Sequence, residues 1–116
     1  MEDCIFCKIA NKRIPAEIVC EDEQILAFND VHPIAPVHVL IIPKEHIPTI
    51  DDLKDEHQDL VGKMILAARN IARDLNISED GYKLLFRVKH YGGQEVDHLH
   101  LHLIGGAPLA EIIKPI

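Results

Sequence analysis

The chain has 116 residues and a mass of 13.1 kDa, with 47% hydrophobic and 27% charged residues. That is the size of one domain, residues 1–116, able to bury a core without a disulfide framework, and its ordinary globular composition excludes disordered and fibrous classes. Twelve Lys and Arg against 19 Asp and Glu leave a formal charge of −7, which argues against partners such as nucleic acid or an anionic membrane surface.

The opening segment, MEDCIFCKIANKRIP, carries acids at its start and no long apolar stretch. Nowhere does the sequence approach the roughly 18 apolar residues of a spanning helix, so the expectation is a cytoplasmic protein. Three cysteines, Cys4, Cys7 and Cys20, fit a reducing compartment, where a C-x-x-C pair is more often metal-binding or redox-active than a bridge. Residues 3–11 suit one or two amphipathic turns with Ile5, Phe6 and Ile9 on the apolar side, closed by Pro15. Residues 18–20 and 25–28 form a hairpin around Asp22-Glu23, and residues 29–36, with two prolines, form a loop. Residues 37–42 are a strongly apolar strand that Pro43 ends.

Residues 55–75 carry the clearest helical pattern. Leu60, Met64, Ala68, Ile71, Ala72 and Leu75 recur at i+3/i+4 spacing, with Asp59, Lys63, Arg69 and Arg73 on other faces. Asp80-Gly81 marks a turn, residues 82–88 a strand, residues 90–94 a glycine loop, and residues 96–104 a long strand that Gly105-Gly106 breaks. Strands, a long helix, then strands, joined by short links, predict an α+β fold on an antiparallel sheet.

Eight histidines is a high count for so short a chain. Three of them fall in His98-Leu99-His100-Leu101-His102-Leu103-Ile104. In a strand, alternate side chains share a face, so the imidazoles form a row about 6.5–7 Å apart and the leucines face the other way. Such a row suits either metal ligation or catalysis by imidazole as nucleophile and acid/base. Tyr91-Gly92-Gly93-Gln94-Glu95 precedes it. A glycine pair either makes a plain hairpin turn or exposes successive N–H groups to a phosphate. Cys4 and Cys7 supply two of the four ligands of a structural zinc site, with His46 and one member of the row as the others; a redox pair and packed thiols are the alternatives. Asp30 is either a turn residue bonding its own backbone or a carboxylate for the two hydroxyls of a ribose. His38 is a partly buried imidazole or a support for a catalytic one.

These residues also carry a resemblance. The His-φ-His-φ-His-φ-φ run is similar to the signature of the histidine triad (HIT) superfamily. Cys4-Ile-Phe-Cys-Lys-Ile, Ile14-Pro-Ala, Ala27-Phe-Asn-Asp, Ala35-Pro-Val-His, Ile42-Pro-Lys-Glu-His-Ile and Gly92-Gly-Gln-Glu-Val resemble its Hint-type branch in the same order. The resemblance implies a HIT-like five-stranded antiparallel sheet with one long and one short helix, pairing as a homodimer. It implies a hydrolase of purine nucleoside 5′-phosphoramidates that passes through a nucleotidyl-histidine and releases AMP or GMP. By position His100 is the nucleophile, His102 contacts the phosphate, and His38 and His98 complete the catalytic set. Asp30 and Val31 lie at the ribose, Ile5, Phe6, Ile9 and Phe28 form the nucleobase wall, and Arg87, Gly93, Gln94 and Glu95 lie at the phosphate.

The related galactose-1-phosphate uridylyltransferases bind zinc through a C-x-x-C pair, a downstream His and the His two before the nucleophile. That likeness implies Cys4, Cys7, His46 and His98 as ligands of a structural zinc ion. Two departures stand out: Arg87 replaces the usual Asn, and the tail from Ala107 to Ile116 lacks the Trp-Pro ending of some relatives. A nucleotide-binding sensor or scaffold on the same fold is the alternative to an enzyme, and turnover of an adenosine phosphoramidate separates the two.

Overall fold

The computed structural model describes residues 3–116. A short helix α1 (Ile5–Ala10) leads into strands β1 (Ile18–Glu21), β2 (Ile25–Asn29) and β3 (Val37–Pro43). Two 3-10 turns, Ile50–Asp52 and Asp55–His57, run into the long helix α2 (Gln58–Asp74), followed by β4 (Tyr82–Phe86) and β5 (Leu101–Gly105). The strands form one sheet in the order β1-β2-β3-β5-β4, every neighbouring pair antiparallel.

Each face of the sheet has its own cover, and period-2 alternation decides which residue goes where. On one face Ile25, Ala27, Val39, Ile41, Leu99, Leu101 and Leu103 pack against Leu60, Met64, Ala68, Ile71 and Ala72 of α2. On the other, Leu26, Phe28, Leu40 and Ile42 pack against Phe6, Ile9 and Ala10 of α1. With both faces covered, β2 and β3 are apolar nearly throughout, as their buried patterns require. Among the described residues, no helix is long and apolar enough to cross a membrane.

Several boundaries differ from the sequence pattern, and α2 begins at Gln58 because residues 55–57 form a 3-10 turn. The ladder of β5 starts at Leu101 rather than residue 96, because its partner runs out. Ile41 pairs with Leu101, so the next like pair would set Leu99 against Pro43, which has no N–H to give. The Leu99 N–H instead donates to the Ile47 carbonyl at 2.7 Å. The ladder between β4 and β5 ends at the same level, with Phe86 opposite Leu101, so residues 87 and 88 lie outside the strand. Leu75 follows the last residue of α2 as its cap and is half-exposed, outside the apolar row.

Candidate active site

The site lies on the α1 face, where β3 and β5 run side by side at the centre of the sheet. Leu40 pairs with His102, so both project to this face and His38, two residues earlier, joins them. His98 and His100 precede the ladder yet keep the alternation: their leucine neighbours enter the α2 core. All four histidines are buried, His98 completely. The rings of His100 and His102 stand 4.9 Å apart between centroids, closer than a flat strand would set them.

Hydrogen bonds assign a tautomer to each imidazole. Nδ1–H of His100 donates to the His98 carbonyl at 2.7 Å, which leaves its lone pair on Nε2. Nδ1 of His38 accepts from the Ile34 N–H at 3.3 Å, so its proton is on Nε2 and is donated to Nδ1 of His102 at 3.0 Å. The proton of His102 is thereby forced onto Nε2. That atom is buried and has no partner among the described residues, which marks it as a donor waiting for an acceptor. The result is a lone pair and an N–H donor on neighbouring rings, the pair that attack on a phosphorus centre requires.

The rings are also held neutral. Burial pushes His102 down to about 4, with the charges of His100, His38 and Arg87 acting in the same direction. Burial likewise lowers His100, against the His98 carbonyl and the Asp30 charge, and lowers His38 against Asp30. A neutral imidazole is the nucleophilic form.

Around this centre, Phe6 sets its ring edge-on to Phe28 at 5.4 Å and to His100 at 5.1 Å. Phe6, Ile9 and Phe28 are buried there, whereas Ile5 and Val31 are exposed. Asp30 divides its carboxylate: Oδ1 accepts from the His32 N–H at 2.8 Å, the turn role, and Oδ2 lies 3.5 Å from Nε2 of His38, facing the site. The glycine loop departs from the phosphate-cradle expectation in one respect. The N–H groups of Gly93 and Gln94 are bonded within the loop, to the carbonyls of His90 and Lys89, because positive φ at Lys89 and Gly93 curls the backbone onto itself. The Gln94 side chain is a brace: its amide donates to the Pro48 and Val96 carbonyls and accepts from the Lys89 N–H.

His98 takes no part in this pair through its ring. Its Nε2–H donates to the Pro43 carbonyl at 2.8 Å, which turns the Nδ1 lone pair to the sulfurs of Cys4, at 3.3 Å, and Cys7, at 3.5 Å. Nδ1 of His46 is 3.2 Å from the Cys7 sulfur. The four donor atoms all lie within 4.8 Å of one another. Bonds of about 2.0–2.3 Å in a tetrahedron put donors roughly 3.3–3.8 Å apart, so the donor set and its spacing fit a zinc ion. Without a metal, burial and the adjoining Cys4 sulfur push the Cys7 thiol up to about 11.

Sequence reasoning missed the backbone partners: the carbonyls of His98 and Pro43 and the N–H of Ile34 set the tautomers of His38, His98, His100 and, through His38, His102, and no side chain announces them. It also passed over His57, buried where α2 begins. Its Nδ1 accepts from the Lys54 N–H at 2.9 Å, and its Nε2–H donates to Glu45, next to His46, at 3.2 Å. A histidine at the head of a helical pattern was the only signal.

A family model described as "Scavenger mRNA decapping enzyme C-term binding" matches residues 3–111. The purine nucleoside phosphoramidase of Escherichia coli (strain K12) is 46% identical over 112 residues, covering 97% of this chain and 94% of its own. A HIT family hydrolase from Legionella pneumophila Philadelphia 1 shares the fold with a TM-score of 0.91 at 50% identity, over 93% of this chain and 96% of that one. A histidine triad protein from Clostridium difficile gives 0.94 at 40% identity, over 97% and 98%. Sheet, helices and imidazole row together define a nucleotide hydrolase of the HIT type. The chain belongs to the histidine triad superfamily.

Proposed function

We propose that the protein hydrolyses purine nucleoside 5′-phosphoramidates through a covalent nucleotidyl-His100. The observation that carries this is the His100–His102 pair, with a lone pair on Nε2 of one and an unpartnered Nε2–H on the other. In the first step the Nε2 lone pair of His100 forms a bond to the α-phosphorus. The phosphorus–nitrogen bond breaks, and the amine leaves with its electron pair and takes a proton from solvent. Nε2–H of His102 holds a non-bridging oxygen as charge builds there. His38 keeps that proton in place. In the second step water attacks phosphorus, the imidazole recovers its lone pair, a proton goes to solvent, and AMP or GMP departs. Splitting one displacement into two is what a covalent intermediate provides.

Asp30, through Oδ2, and the adjoining Val31 receive the ribose. The base lies against the wall of Ile5, Phe6, Ile9 and Phe28, while Arg87, Gly93, Gln94 and Glu95 border the phosphate. Cys4, Cys7, His46 and His98 hold a structural zinc ion, which supplies a cross-link and no open position for chemistry. The protein acts as a homodimer in the cytoplasm. The support for pairing is the edge strand β4, together with half-exposed Ile65 and Leu66 on the outer side of α2.

The test is intact-mass analysis after mixing with adenosine and guanosine phosphoramidates. The expected result is a nucleotidyl adduct on His100 in the native protein. His100→Ala should form none and lose turnover by about 10³-fold or more while still binding AMP. Wild-type rate in that variant, or label on another histidine, overturns the assignment; AMP binding by the native protein with no turnover supports a sensor instead.

A further inference from the structure

Arg87 is exposed and stands one residue beyond β4. Leu85 pairs with His102 and Phe86 with Leu101, so alternation carries Leu85 and then Arg87 along the histidine face, towards the level of His100. Its side chain lies over the glycine loop: a methyl added to Gly93 would come 3.7 Å from Nη1 and 3.8 Å from Cδ. Among the described residues, no carboxylate forms an ion pair with it. Glu95, whose charge reaches His100, does not pair with it either. The cation thus stands at the rim beside the glycine loop, with its charge unpaired among the described residues.

Displacement at phosphorus runs roughly in line. Nε2 of His100 attacks from the buried side, so the leaving group points away from the sheet and out past the rim. A group able to touch it must be rooted on this face and reach into solvent, and Arg87 does both. A guanidinium there prefers a planar anion, which it can bind through two parallel N–H groups.

We propose that Arg87 selects nucleoside phosphoramidates whose leaving group carries an anionic group of its own beside the scissile bond, a carboxylate or a phosphate. This rests on the hydrolase reading above and assigns its substrate class.

The experiment uses two AMP phosphoramidates that differ in one charge, the amine being alanine in one and alanine amide in the other, with ADP and AMP affinities measured by calorimetry as a second arm. In the native protein kcat/KM should favour the alanine substrate by about tenfold. In Arg87→Gln that preference should fall to parity, whatever loss the two substrates share, and Arg87→Lys should recover part of it. A preference for ADP over AMP that disappears in Arg87→Gln identifies phosphate as a second source of the same anion and sustains the proposal. Equal losses for both phosphoramidates in Arg87→Gln, with the preference kept, would show that the guanidinium does not read the leaving group and overturn it. Should neither phosphoramidate turn over, the hydrolase reading fails on its own. The ADP-to-AMP ratio then decides: its loss in Arg87→Gln sustains selection of an anion, and an unchanged ratio ends it.

Discussion

A histidine packed among other imidazoles and facing an arginine binds a proton poorly, and His102 is so placed. Burial first, then the charges of His100, His38 and Arg87, hold it down to about 4, against the opposing pull of Asp30. In an unfolded chain the same residue titrates near its ordinary value of 6.5. Between those two values the unfolded state binds more protons than the folded one, so stability rises with pH across that window. The contribution is complete above 6.5 and is lost as pH falls through about 4. Melting temperature should therefore drop between pH 7 and pH 5, and His102→Asn, with nothing to titrate, should show a shallower drop. Equal acid slopes in the two proteins would mean that His102 is not the group concerned. At this scale the sequence showed which imidazoles share a face but not which nitrogen carries the proton. That is decided by Ile34 N–H and the carbonyls of Pro43 and His98, atoms that every residue type possesses.

Elements obey the same logic at a larger size, and two glycines show how position outweighs residue type. Gly62 lies inside α2 with no atom within 4 Å of where a Cβ would stand. Gly62→Ala should raise stability by about 0.4–1 kcal/mol, by restricting the unfolded chain and favouring the helix. Gly92 heads the loop beside the active site, and a Cβ there would meet the Val88 carbonyl oxygen and nitrogen at 2.4 and 2.6 Å. Backbone on both sides must then give way, so Gly92→Ala should cost about 1–3 kcal/mol and lower kcat/KM together with stability. Thermal melts of the two variants should move in opposite directions; a shift of the same sign would show that the loop relaxes freely. The existence and type of all five strands and both helices were legible because apolar periodicity reports burial. Their ends were less so. The start of β5 depends on Pro43, some 60 positions earlier in the chain, and local pattern carries no trace of a partner that lacks an N–H.

For the whole molecule, the main consequence is how a six-residue helix is held to the sheet. An isolated helix of that length is not stable in water, so α1 relies on its contacts. Phe6, Ile9 and Ala10 supply the apolar ones. The second anchor is the Cys4, Cys7, His46 and His98 cluster, whose first and last members lie 94 positions apart. Spacing offered the C-x-x-C pair, with His46 and one member of the histidine row as the other candidates; the segments that follow β3 and precede β5 bring His46 and His98 to the two cysteines. Zinc in the cluster would tie α1 to the segment that carries His100, so its loss should loosen the wall formed by Phe6 as well as the helix. Zinc affinities worth about 10–16 kcal/mol in small metal-folded domains set the upper scale, and here two apolar layers already support the fold. The expected stoichiometry is about one zinc per chain in protein purified without chelator. Cys4→Ser should lose the ion and melt at least about 5 °C lower, the shift that roughly 1 kcal/mol produces in a domain of this size. Chelator should move the native protein by a similar amount and leave Cys4→Ser unmoved. Metal-free native protein whose melting temperature is unchanged when both Cys4 and Cys7 are replaced would reduce the pair to packed thiols, and α1 would then be held by its apolar contacts alone.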